Sequence, residues 1–387
     1  MSVKLPVASG ETEFYVLHPP SPFPRIHPPV SARTAFAAAH VVADQLALSN
    51  PWQDPAIDWE ATFAFRRHLW GLGLKVAEAM DTSQRGTGLD WPLAAELIRR
   101  SIGEAKSIPG ADLACGAGTD QLAPGQAKSL EDVIAAYEEQ IAHIEACGGR
   151  AIIMASRALC RLSRSADDFL FVYDRLLSAV REKVILHWLG EMFDPELAGY
   201  WGNHDIDIAM STLLDVLKAH VAKVDGVKIS LLDRGCEEYL LKQLPPTLKL
   251  YTGDDFNYVE LIEGDGEHVS HGLLGIFDPI APAVVVALDR LAAGDNPGYH
   301  EILDPTVALS RKMFEAPTRF YKAGVVFLAW IAGHQTHFRM IGGMESARSI
   351  LHYAELFRLA DEARLYPDPE QAAWRMSQFC VVNGVLQ

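Results

Sequence analysis

The sequence predicts a closed α/β fold, a (β/α)8 TIM barrel with a C-terminal helical extension, and three observations predict it. Eight short apolar runs, rich in small or β-branched residues, are spaced between residues 35 and 277. Longer segments with a 3.6-residue apolar period lie between them, as expected for strands that alternate with helices. No Gly-x-Gly-x-x-Gly opens a helix after the first run, which favours a closed parallel barrel over an open dinucleotide-binding sheet.

In chain order the strand-like runs are AFAAAHVV (35–42), LKVAEAM (74–80), ADLACGAG (111–118) and RAIIMAS (150–156), followed by KVILHWL (183–189), GVKISLL (226–232), LKLYTGDD (248–255) and GLLGIF (272–277). Strands buried on both faces read as continuous apolar runs, which is the pattern here. The segment 129–147 opens with SLED, a capping box, and 165–181 carries DDFLFVYDRLLSAV on one apolar stripe. Before the first run, HPPSPFPRIHPP lacks backbone donors at each proline and is held extended. Residues 1–32 are therefore expected to be a proline-rich arm and 33–295 the barrel. After Phe277 only helical patterns remain, and 296–387 is expected to pack on the barrel as a helical subdomain.

Composition narrows the function. With 49% hydrophobic residues over 387 positions the chain has ample material for a packed core. The formal net charge of −16 repels a phosphate backbone or an anionic membrane, so neither nucleic acid nor membrane is expected as a partner. The five cysteines are scattered without Cys-x-x-Cys spacing, which argues against a disulfide framework or a structural zinc site. The first residues show no basic segment followed by a signal-peptide core, and the most apolar stretch, near 323–333, is half the length of a membrane span of about 20 residues. A cytoplasmic protein is expected, assembled as a homo-oligomer (dimer or tetramer).

In such a barrel, chemistry sits at the C-terminal strand ends and the loops after them. Lys228 stands out because its strand is otherwise Val, Ile and Leu. Burying an ammonium costs several kcal/mol, and desolvation lowers a lysine pKa and frees the amine to attack a carbonyl. A lysine that snorkels to solvent from a strand edge is the other reading. His40 and Glu78 end the first two runs and, with His187, invite a metal-dependent isomerase or lyase reading. One ligand per strand, without HxxxH or HExxH spacing, is weak support for it, and no metal is assigned. His268, His271, His334 and His337 are read as structural or subunit-contact residues.

GVKISLLD, YTGDDFNYVELIEGDGEHVSHG and LACGAGTDQ, in their order along the chain, resemble the dihydrodipicolinate synthase and N-acetylneuraminate lyase family of class I aldolases over roughly residues 33–363. The resemblance puts Lys228 in the family's Schiff-base strand, and GVKISLLD in place of Ile-Lys-Glu. It puts Gly253 and Asp254 in the Ser-Gly-Asp-Asp segment, and Thr82, Ser83 and Arg85 in the loop that is Thr-Thr-Gly-Glu in the family. Thr82 and Ser83 would hold a substrate carboxylate, while Arg85 either binds an anion bidentately or caps loop carbonyls and pairs with Asp81. Asp254 and Asp255 either bond substrate hydroxyls or cap the next helix.

His187 occupies the position of the family's relay tyrosine, and imidazole can take over acid/base work near neutrality. The arginine that the family carries shortly afterwards is replaced by Glu191 or Met192, so the keto-acid preference is open. The resemblance implies a Schiff-base lyase, aldolase or dehydratase with Lys228 and His187 as catalytic residues. Thr82, Ser83, Arg85, His40, Glu78, Gly253 and Asp254 would bind a small keto-acid or sugar-derived carbonyl substrate. No cofactor beyond the covalent imine is expected. A barrel that binds ligand without turnover is a further reading.

Overall fold

The computed structural model describes residues 1–80 and 82–385. Its strands are β1 (Ser2–Pro6), β2 (Thr12–Val16), β3 (Ala35–Ala38), β4 (Lys75–Glu78), β5 (Leu113–Ala117), β6 (Ala151–Ile153), β7 (Val184–Leu189), β8 (Val224–Ser230), β9 (Lys249–Thr252) and β10 (His271–Leu274). Its α-helices begin with α1 (Trp59–Gly71), α2 (Thr82–Arg85), α3 (Trp91–Lys106), α4 (Leu130–Cys147), α5 (Arg157–Leu162), α6 (Ala166–Ala179) and α7 (Ile206–Ala219). They continue with α8 (Arg234–Gln243), α9 (Tyr258–Glu263), α10 (Ala281–Ala292), α11 (Asn296–Met313), α12 (Tyr321–Ile331), α13 (Ile350–Glu362) and α14 (Pro369–Val382). Among the described residues no helix is long and apolar enough to cross a membrane.

Strands β3 to β10 run parallel and close into one barrel, β10 pairing back onto β3. All eight apolar runs supply its strands. The runs overshoot the ladder at several ends because the chain turns there; Ala79, just past β4, already has φ of 50°. Helix α4 starts where the capping box placed it, with Ser129 Oγ accepting from the Asp132 N–H at 3.2 Å and Asp132 Oδ2 accepting from the Ser129 N–H at 3.0 Å.

The chain divides into two compact units, one of residues 33–38 and 75–274, the other of 1–32, 39–74 and 275–387. The first contains the whole barrel. Its interior is layered by strand alternation, which sends every second side chain inward. At the N-terminal end Lys75 and Arg150 flank Asp112 at 2.7 and 2.9 Å, and Lys249 and the Tyr251 hydroxyl hold Asp225 at 2.9 and 2.6 Å. Asp225 is the extra residue of an irregularity in the β7–β8 ladder, which steps from Val184↔Val224 to Ile185↔Gly226. Above this girdle of paired charges lies an apolar layer that includes Phe36, Ala77, Ala114, Ile152, Ile185, Tyr251 and Leu273.

The second unit holds the sequence termini. Residues 1–32, expected as an arm, include the antiparallel hairpin β1–β2, which forms ahead of the proline-rich stretch. The hairpin packs on α13 and α14, and Asp361 of α13 accepts from the Tyr15 hydroxyl and the His18 backbone N–H at 2.8 and 3.0 Å. Helices α12 to α14 and the segment before α13 enclose rings of Phe327, Trp330, Phe338, Tyr353 and Phe379.

The barrel carries a pH liability at His271, the first residue of β10. Its Nδ1 accepts the Thr34 N–H at 2.9 Å, which requires an unprotonated nitrogen. Burial first, then Lys249 and Arg33, lower its pKa to about 4. Because the folded value lies below the unfolded one, stability is intact above about pH 6.5 and drains away as pH falls towards 4. Urea midpoints measured across that window should decline, and His271→Asn, whose amide oxygen can keep the acceptor, should flatten the decline.

Candidate active site

Lys228 lies near the C-terminal end of β8, 7% exposed. Because Ile185 and Tyr251 line the interior, the register pairs His187↔Lys228 and Lys228↔Tyr251 place His187 and Lys228 on the inward faces of β7 and β8. The two are lateral neighbours in one layer. His187 is buried, and burial together with the Lys228 charge pushes its pKa well below the ordinary histidine value, so its imidazole is neutral at pH 7. Its Nε2 meets Ser230 Oγ at 3.1 Å, and its buried Nδ1 has no hydrogen-bond partner among the described residues.

Gly253 explains how this layer closes. Its N–H donates to the Ile229 carbonyl at 2.7 Å. A Cβ on Gly253 would stand 2.3 Å from Ser230 Oγ and 2.7 Å from Lys228 Cε, so only a glycine lets the strand end press against the lysine. Asp254 then caps the turn that follows: Oδ1 accepts from the N–H groups of Phe256 and Asn257 at 2.9 and 3.1 Å, and Oδ2 from the Asn257 amide at 2.7 Å. Of the two readings of Asp254, the structure favours capping. Thr252 and Glu237 sit behind the wall, Thr252 Oγ1 donating to Glu237 Oε1 at 3.1 Å. Burial and Asp254 push the Glu237 carboxyl well above its usual pKa against the opposing pull of Thr252, Gly253 and Lys228.

Several expected substrate ligands have other employment. Arg85 is buried; its guanidinium grips Asp120 through two nitrogens at 2.9 and 2.5 Å, donates to Gln140 at 2.8 Å, and takes the carbonyls of Ala79 and Gly116 at 3.0 and 3.1 Å. It clamps the strand ends with Asp120 as a paired acid, so of the two readings of Arg85 the structure favours the capping of carbonyls over the binding of a substrate anion. Glu78 alternates with inward Ala77 and so faces away from the barrel interior, where it accepts from Ser101 of α3 at 2.7 Å and from the Ala79 N–H at 3.0 Å. His40 is fully buried, its Nδ1 on Asp278 at 2.8 Å and its Nε2 on Gln335 at 3.1 Å. Burial would raise the Asp278 pKa, but His40, reinforced by Lys322, holds it below the usual carboxylate value. With His40 and Glu78 thus engaged, the metal reading loses its ligands. Among the described residues no cluster of three His, Cys, Asp or Glu is arranged to hold an ion. Asp81 and the side chains of Thr82 and Ser83 lie outside the described residues.

Ser230 and Glu237 were not singled out in the sequence. Ser230 was findable, since the two-residue period of a strand puts it on the face of Lys228. Glu237 was not, because nothing separates it locally from the neighbouring exposed-type Glu238. The strand ends also store strain: Ala79 and Leu232, each just beyond its strand, have φ of 50° and 54°, outside the range such residues ordinarily occupy. A cavity of about 290 Å³ opens over the ends of β4 to β7, lined by Arg85, Thr119, Asp120, Arg157 and Asp194 among others. Lys228 and His187 are not in its lining; Met154, which is, also belongs to the apolar interior layer.

The closed parallel eight-stranded barrel with its helices is a fold shared with solved dihydrodipicolinate synthases. The Aquifex aeolicus enzyme superposes with a TM-score of 0.63 at 12% identity, covering 86% of this chain and 99% of its own. That of Bacillus clausii gives 0.63 at 15% identity, covering 86% and 99%. YagE, an E. coli K12 prophage protein of the dihydrodipicolinic acid synthase family solved in complex with pyruvate, gives 0.65 at 13% identity, covering 86% and 99%. At these identities the likeness is one of fold. The chain itself belongs to the family described as protein of unknown function DUF993, which matches residues 3–385. No curated protein sequence matches it.

Two substitutions check the packing. Gly253→Ala should destabilise by about 1–3 kcal/mol, the usual range for overpacking, because its methyl meets the Ile229 carbonyl at 2.5 Å as well as Ser230. Arg85→Met strands a carboxylate and two carbonyls, and should cost about 3 kcal/mol, the low end for a broken buried pair since Asp120 is partly exposed. Denaturant unfolding measures both.

Proposed function

We propose that the protein is a class I lyase of the Schiff-base type, an aldolase or dehydratase that acts on a small keto-acid or sugar-derived carbonyl compound. The observation that carries this reading is an amine on the inward face of β8, 7% exposed, with a neutral imidazole in register beside it. Such an amine, desolvated and flanked by a base, is suited to nucleophilic attack on a carbonyl carbon. The fold is shared with a protein solved in complex with pyruvate, so keto acids of that kind are the first probes.

In the proposed reaction Lys228 Nζ adds to the carbonyl carbon to form a carbinolamine, which loses water to give a protonated imine. That cation accepts the electron pair when a C–C bond breaks, or when a proton and a β-hydroxyl leave, and no separate cofactor is invoked. His187 is the base that takes the proton from the reacting centre and returns it. Gly253 holds the lysine stem in place, and Asp254 shapes the turn beside it. The cavity over β4 to β7 would house the remainder of the substrate.

Borohydride reduction in the presence of pyruvate and sugar-derived keto acids should add the reduced substrate to the peptide that contains Lys228. Labelling elsewhere, or none across a broad panel, sinks the reading. Lys228→Ala should abolish turnover without loss of fold, and His187→Phe should lower kcat by about 100-fold with little change in KM.

The pH profile supplies an independent check. A base works only while unprotonated, and the His187 pKa lies well below 6.5, so the acid limb of kcat should fall below pH 6.5 rather than centre on it.

A further inference from the structure

The proposed chemistry leaves Ser230 unused, yet it adjoins both groups that the reaction couples. It is two residues beyond Lys228 on β8 and therefore on the same inward face. Its hydroxyl meets His187 Nε2 at 3.1 Å. The point where a Gly253 Cβ would stand is 2.3 Å from Ser230 Oγ and 2.7 Å from Lys228 Cε, so these two atoms are no more than about 5 Å apart, and Nζ is one bond further along. The hydroxyl is buried, 1% exposed at the residue, in a position where adventitious water has little access.

We propose that Ser230 is a relay residue that passes protons between Lys228 and His187 during imine formation. The inference rests on the Schiff-base reading of Lys228 and adds to it a residue and a route. In the first step the lysine ammonium gives a proton to Ser230 Oγ while the serine proton moves to His187 Nε2, which leaves a free amine and an imidazolium. The amine nitrogen then bonds to the carbonyl carbon, the C–O π pair goes to oxygen, and one nitrogen proton follows it to complete the carbinolamine. In the last step His187 returns its proton through Ser230 to the carbinolamine hydroxyl, the C–O bond breaks, and water leaves. The balance is ammonium plus carbonyl in, protonated imine plus water out, with His187 and Ser230 restored.

A hydroxyl suits this place because it donates and accepts at once, whereas the imidazole reaches the lysine from the next strand with a single nitrogen turned to Ser230. The opposite nitrogen, Nδ1, is buried and unpartnered among the described residues, which leaves Nε2 as the end through which His187 exchanges protons. Among the described residues, the charged and titratable groups around the pair include Lys228 on β8 itself, Glu237 on α8, Tyr251 on β9 and Asp254 after it.

The test is the rate at which pyruvate and glyoxylate become attached to Lys228 under cyanoborohydride, followed by peptide mass in the wild type, Ser230→Ala and Ser230→Cys. The relay requires Ser230→Ala to label at least ten-fold more slowly while reaching the same final extent, with the solvent deuterium isotope effect on labelling reduced. Ser230→Cys, which keeps a group able to pass a proton, should fall between the two. Labelling of Ser230→Ala at the wild-type rate with an unchanged isotope effect overturns the relay and leaves the lysine chemistry standing. Absence of labelling on Lys228 in the wild type overturns both. Thermal unfolding of each variant separates a slower reaction from a damaged fold.

Discussion

The inward burial of one lysine is the constraint around which the barrel wall is arranged. An ammonium in that layer is tolerated only if its surroundings adapt, since desolvation disfavours its charge. The adaptations lie on three consecutive strands. The neighbouring histidine stays neutral, the next strand presents a glycine so that the lysine stem has room, and a hydroxyl on the lysine's own strand meets the imidazole. Each would be an oddity alone, and together they form a small polar island above an apolar layer.

Charges elsewhere in the barrel, partly or fully buried, are held in ion pairs. Asp112 and Asp225 at the N-terminal end of the barrel sit among Lys75, Arg150 and Lys249, and Arg85 spends its whole guanidinium on Asp120, Gln140 and two carbonyls. Those groups do what paired charges do in barrels: they fix strand ends and close the interior. The contrast is chemical. A guanidinium matches a carboxylate through a planar fork and remains charged, whereas an amine beside a neutral imidazole can lose a proton and react.

The barrel was legible because burial on both faces turns each strand into an apolar run that helical periods interrupt. Lys228 was visible as the exception within such a run, and the position of His187 followed from the same alternation. The bonds that engage Arg85 and His40 could not be read from their neighbours because the partners are remote: Asp120 lies 35 residues from Arg85, and Asp278 and Gln335 lie 238 and 295 residues from His40. Glu78 is turned away by parity, since its strand sends Ala77 inward and the acid outward to Ser101.

The sequence by itself determined the strand and helix order and the closed barrel, and it marked Lys228 as the exception within an apolar strand, all of which follow from local periodicity and from the cost of burying charge. Only the tertiary structure decided which polar side chains are tied up in distant pairings and that Lys228 is buried. That depends on pairings between residues far apart in the chain, and a hydrogen bond accepted from a distant loop leaves no trace in the residues beside it.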